Sequence, residues 1–116
     1  MYTISKEFHF SASHQLHGLP DGHQCGRLHG HNYIVVAVLA SDRLDATGFV
    51  RDYGQLTAIK DYIDNKLDHR HLNDVFDCPT AENMAEALFD KFRLLYSELV
   101  AIRISETPRT WAEYRP

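Results

Sequence analysis

The chain has 116 residues, 44% hydrophobic and 24% charged, which suits one compact soluble domain over residues 1–116 with no room for a second core. The formal net charge is −4 and no long Lys/Arg cluster is present, which argues against nucleic acid as a partner. No window is apolar enough to span a bilayer, Met1 to Lys6 lacks the apolar core of a secretory signal, and two cysteines are too few for a disulfide framework, so a cytoplasmic protein with free thiols and no membrane partner is expected.

Tyr2, Ile4, Phe8, Phe10 and Ala12 share one parity and alternate with polar residues, which predicts a half-buried strand with His14 continuing the apolar side. His17 to Arg27, rich in Gly, Pro, Asp and His, reads as a loop. A second strand is expected from Leu28 to Ala40, nearly all apolar after Asn32 and therefore covered on both faces. Ser41 to Gly48 is a polar connection. A first helix is expected from Tyr53 to Leu67, with Leu56, Ile59, Ile63 and Leu67 as its inward stripe. A second follows Pro79, with Thr80 as N-cap, Glu82 in the first turn, and Met84, Leu88, Phe92 and Leu95 as its apolar face. Ser97 to Thr107 reads as a third strand with Val100, Ile102 and Ile104 on one side. Pro108-Arg109 turns the chain into a short last strand, Thr110 to Tyr114. This order predicts an α+β fold, a four-stranded antiparallel sheet with two helices on one face. Such a sheet has two open edges, which oligomerisation could bury.

The chemistry concentrates in Cys25-Gly26-Arg27-Leu28-His29-Gly30-His31. On a strand, His29 and His31 project from one face with Cα atoms roughly 6.5–7 Å apart, close enough for both imidazoles to meet one ion. Gly30 between them lets another backbone or a ligand come close. His14 supplies a third nitrogen if the first two strands form a hairpin, giving a three-histidine zinc site with an open position. Two other readings stand beside it: a His-x-His of purely structural use, and a closed site with Cys25 as fourth ligand. Asp68-His69, just past the first helix, could be a carboxylate orienting an imidazole that handles a proton for a thiol, or a solvated loop. Glu106 continues the apolar parity of its strand, where a carboxylate is costly unless paired. It could accept two parallel N–H bonds from the edge of a 2-amino-4-oxo ring, or face water beyond the strand's end.

Taken together, Phe8-x-Phe10-x-Ala12-x-His14, Cys25-x-x-x-His29-Gly30-His31, Leu67-Asp68-His69-x-x-Leu72-Asn73, Pro79-Thr80-x-Glu82-Asn83 and Glu106-Thr107 resemble the 6-pyruvoyl-tetrahydropterin synthase superfamily, in order and over essentially the whole chain. The three-residue gap between Cys25 and His29-Gly30-His31 looks like the 6-carboxy-tetrahydropterin synthase branch, which serves queuosine and other deazapurine pathways. The resemblance implies a tunnelling fold in which sheets join as a multi-subunit β-barrel, two trimers stack as a homohexamer, and active sites lie between subunits. It implies Zn2+ on His14, His29 and His31, Cys25 as the proton-moving thiol, and Asp68 with His69 as its relay partners. Glu106 would anchor the pterin with help from Thr107, and Thr80 would lie near the pterin pocket. Lys6 and Arg27 are candidates for phosphate contact. The implied activity is that of a zinc-dependent lyase. It converts 7,8-dihydroneopterin triphosphate to 6-carboxy-5,6,7,8-tetrahydropterin, with loss of acetaldehyde and triphosphate. The alternatives are triphosphate elimination to a 6-pyruvoyl product, or a zinc-stabilised pterin-binding module without turnover.

Overall fold

The computed structural model describes Met1–Pro116. Strands β1 (Tyr2–His14) and β2 (His29–Ser41) form one long antiparallel hairpin, in register from Tyr2 opposite Ser41 to His14 opposite His29. Alternation along β1 buries Phe8, Phe10, Ala12 and His14, and the matching face of β2 buries Tyr33, Val35, Ala37 and Leu39. The rings of Phe10 and Tyr33 stack across the pair at 4.8 Å.

The first helical segment is built in three pieces: a 3₁₀ turn (Tyr53–Leu56), helix α1 (Thr57–Tyr62) and a π-turn (Ile63–Leu67). The π-turn closes with the Asp68 N–H donating to the Ile63 carbonyl at 2.9 Å. Leu56, Ile59, Ile63 and Leu67 are all fully buried, as the stripe demands. Helix α2 (Ala81–Phe92) starts at Thr80, whose hydroxyl accepts from the Asn83 N–H at 3.2 Å. Met84, Leu88 and Phe92 are buried, but Leu95 is 58% exposed. The helix ends before Leu95, and Tyr96 takes the core position instead, its hydroxyl donating to the Gln55 carbonyl at 2.8 Å.

Strand β4 (Leu99–Thr107) adds to β2, and β5 (Thr110–Tyr114) to β4, both antiparallel. The pairing steps from Val38 opposite Ala101 to Leu39 opposite Leu99, so Val100 is an extra residue in a bulge. The bulge changes parity. Val100 therefore packs with Val36, Val38 and Ala101 on the sheet face away from the helices, while Ile102 and Ile104 enter the main core, correcting the expectation that all three share a side.

With β3 (Arg70–His71) included, the sheet has five strands and is mixed, in the order β3-β1-β2-β4-β5, where four antiparallel strands were expected. The addition, β3, is parallel to Ala12–Ser13 of β1. Two residues leave no periodicity to read, and their pairing is fixed by groups on either side. The Ser11 N–H donates to Asp68 Oδ1 at 2.9 Å. Past β3, Asn73 uses its side-chain amide as a substitute strand: the Gln15 N–H donates to Asn73 Oδ1 at 2.9 Å, and Asn73 Nδ2 donates to the Gln15 carbonyl at 2.8 Å. Both helices lie on the face that carries the core, and no helix is long and apolar enough to cross a membrane.

Candidate metal centre

Register brings the histidines together. His14 lies opposite His29 and Ala12 opposite His31, so the three imidazoles share the core face at the loop end of the hairpin. One ring nitrogen from each lies within 4.8 Å of the others. The rings meet edge to face, with centroids 4.5 to 5.1 Å apart. Gly30 sits between two of them because β1 is close: a Cβ there would lie 3.2 Å from the Ala12 carbonyl oxygen.

Main-chain carbonyls fix which nitrogen of the His14 and His29 rings is free. His14 is fully buried, and its Nδ1–H donates to the Pro79 carbonyl at 2.9 Å, with the Tyr33 hydroxyl 3.2 Å from the same nitrogen. His29 Nδ1–H donates to the Arg27 carbonyl at 2.6 Å. With Nδ1 engaged in this way, both rings turn Nε2 inward, and these two nitrogens stand 2.9 Å apart. Burial, followed by the neighbouring His14 and His29, lowers the His31 pKa and favours its neutral, ligating form. Glu106 Oε2 lies 3.4 Å from His14 Nε2 and 3.3 Å from His31 Nε2. The inward Nε2 atoms of His14 and His29, the His31 ring and a carboxylate converge on one point, a donor set that fits a divalent metal ion. Burial and then the Glu106 charge raise the Tyr33 pKa, so its hydroxyl stays a neutral phenol beside this cluster.

The other residues singled out in the sequence divide into three groups. Cys25 lies half-buried in a 3₁₀ turn (Gln24–Gly26), and its sulfur is outside the ligating set, which leaves the three imidazoles without a fourth cysteine donor. Asp68 and His69 do pair, with His69 Nδ1 3.0 Å from Asp68 Oδ2. The Ser11 N–H, and then the His69 hydrogen bond, hold the Asp68 carboxyl below its ordinary range. His69 adopts a left-handed backbone, φ 57°, which turns its ring out to 82% side-chain exposure. No hydrogen bond joins His69 to Cys25 in this chain. Thr107 closes the β4–β5 turn through a 2.8 Å hydroxyl contact with Thr110. Glu106 also borders a cavity of ≈ 250 Å³ walled by Ala81, Glu82, Ile104, Trp111 and Ala112. A second, polar cavity of ≈ 500 Å³ joins His31 to His69 and His71 past Ser13.

Reasoning from the sequence missed the groups that aim the histidines. The carbonyls of Pro79 and Arg27 carry no side-chain signature, and only contact with His14 and His29 reveals their use. Tyr33 was legible in principle, since it continues the parity of His29 and His31.

The sequence matches the 6-pyruvoyl tetrahydropterin synthase family over residues 3–116. It is 38% identical to a 6-carboxy-5,6,7,8-tetrahydropterin synthase from Synechocystis sp., covering 98% of this chain and 93% of that one. It is 33% identical to a putative 6-carboxy-5,6,7,8-tetrahydropterin synthase from Archaeoglobus fulgidus, covering 91% and 89%. The fold superposes on the 6-pyruvoyl tetrahydropterin synthase of Caenorhabditis elegans with a TM-score of 0.86 at 28% identity, over 99% of this chain and 95% of that one.

Proposed function

The chain belongs to the 6-pyruvoyl tetrahydropterin synthase family, and from that premise we propose that it is a zinc-dependent 6-carboxy-5,6,7,8-tetrahydropterin synthase acting on 7,8-dihydroneopterin triphosphate. The observation that carries this reading is the convergence of His14, His29 and His31 beside a ring-sized cavity edged by Glu106. A zinc ion held by the three imidazoles would supply Lewis-acid stabilisation of negative charge on the side-chain oxygens of the substrate.

The protein groups do the rest. Glu106 offers two carboxylate oxygens to the N–H edge of the pterin, with Thr107 beside it. Thr80 serves the pocket by holding the start of α2, where Ala81 and Glu82 form the wall. Cys25 Sγ carries protons between the side chain and the ring. Asp68 holds His69 at Nδ1, leaving Nε2 to take or return the thiol's proton. Because Cys25 and His69 do not meet in one protomer, the relay closes across a subunit boundary, and the working form is a homohexamer whose sheets join as a barrel. The face bearing Val36, Val38 and Ala101 is apolar enough to line that barrel. Cleavage of the side chain then gives the carboxylate, acetaldehyde and triphosphate, with water supplying the additional oxygen. A cytoplasmic place in queuosine biosynthesis follows from this product.

The likeness to the Caenorhabditis elegans protein supports a second reading, elimination of triphosphate to a 6-pyruvoyl product without carbon–carbon cleavage. Incubating zinc-loaded protein with 7,8-dihydroneopterin triphosphate and weighing the pterin product by mass spectrometry decides between them. Carboxy-tetrahydropterin with released acetaldehyde is expected. A pyruvoyl product without acetaldehyde would transfer the protein to the second reading, and no product would refute both.

A further inference from the structure

Glu106 has an unusual pair of neighbours for a carboxylate. It has no Lys or Arg partner, and its ion-pair contacts are His14 Nε2 at 3.4 Å and His31 Nε2 at 3.3 Å. The His14 proton is already committed at Nδ1 to the Pro79 carbonyl, so His14 Nε2 offers a lone pair and no hydrogen. Donor atoms held about 2.0–2.1 Å from one ion at tetrahedral angles lie roughly 3.3–3.4 Å from each other. The two Glu106 contacts match that edge length. Glu106 nevertheless stays outside the set of donors that are all within 4.8 Å of one another, so it reaches the His14–His31 edge and stands off from His29. Its side chain is 28% exposed, which leaves it free to turn toward the adjoining cavity.

We propose that Glu106 is a displaceable carboxylate of the metal centre: it completes the coordination of the resting site and leaves when the N–H edge of a 2-amino-4-oxo ring competes for its oxygens. This rests on the reading that the triad holds a divalent ion and the cavity a pterin. It adds that one carboxylate serves both, so ring binding opens the position that the substrate side chain needs. Charge balance favours the arrangement, because a carboxylate against three neutral imidazoles reduces the net charge of a divalent centre while the site is empty of substrate.

The test is metal binding, read without turnover. Metal-free protein is titrated with Co2+ and its visible spectrum recorded, and Zn2+ affinity is measured by competition with a chromophoric chelator, for wild type, Glu106→Gln and Glu106→Asp. Glu106→Gln should weaken Zn2+ binding about tenfold and change the position and intensity of the Co2+ bands. Glu106→Asp, which draws the carboxylate back by about 1.5 Å, should alter the same bands with a smaller loss of affinity. Adding 7,8-dihydroneopterin to the wild-type Co2+ protein should move its spectrum toward that of Glu106→Gln. Identical affinities and spectra in wild type and a folded variant, with only pterin affinity changed, would overturn the inference and leave the proposed function standing. Failure of the wild type to bind either ion would overturn both.

Discussion

Asn73 allows the account of the site's scaffold to be tested through stability. Its side chain exchanges two hydrogen bonds with the backbone of Gln15, at 2.9 and 2.8 Å, at the point where β1 has run out of strand partners on that side. Replacing it with alanine leaves one N–H and one carbonyl of a partly buried residue without partners. At about 1 kcal/mol for each such bond, Asn73→Ala should cost about 2 kcal/mol. A chain of this length unfolds with an entropy near 0.24 kcal/mol/K, so the midpoint should fall by about 8 °C. Gln15 follows His14, so the loosened segment should also weaken metal binding at the triad. The assay is thermal unfolding of metal-free wild type and variant at equal protein concentration, because an oligomer's midpoint depends on concentration. A midpoint within about 2 °C of wild type would refute the claim that this amide clamp holds the end of β1.

Thr80→Ala should lower stability by about 1 kcal/mol through loss of the α2 cap while leaving KM unchanged. A raised KM with unchanged stability would instead make the hydroxyl a substrate contact. Asp68 supplies a pH test. Its carboxyl is held below the ordinary range first by the Ser11 N–H and then by His69, so its contribution is present above that range and is lost as pH falls through the lowered value. Between neutral pH and about pH 3, Asp68→Asn should therefore lose less of its thermal midpoint than wild type; equal losses would show that the contact is not linked to folding. Cys25→Ala should abolish turnover and keep the metal, since the sulfur is outside the ligating set; loss of stoichiometric metal would restore the closed four-ligand alternative.

Where burial repeats along the chain, the sequence was readable. The alternation of β1 placed His14 on the core side, and the Leu56, Ile59, Ile63 and Leu67 stripe survived even though its helix is α-helical only over Thr57–Tyr62. The stripe persisted because a π-turn widens a helix without moving these side chains off one face. What escaped depends on contacts between distant residues. Arg70–His71 became a strand because Asp68 and Asn73 pin its flanks to β1. Val100 changed faces through a bulge that parity cannot foresee, and Leu95 stayed outside because Tyr96 found the Gln55 carbonyl. At the site, residue types and spacing pointed to His14, His29 and His31, which the fold brings together, whereas the orientation of His14 and His29 is set by the main chain of Pro79 and Arg27. The short distances from Glu106 to His14 and His31 follow from packing of β4 against β2, which no local pattern contains.

The central claim is that three imidazoles hold one ion on which pterin turnover depends. It is tested most directly by titrating metal-free protein with Zn2+ and following conversion of 7,8-dihydroneopterin triphosphate. Activity should rise in proportion to added zinc and break at one ion per chain, and His29→Ala should remain inactive over the same range. Full turnover by the metal-free protein, or an unchanged titration in the variant, would contradict it.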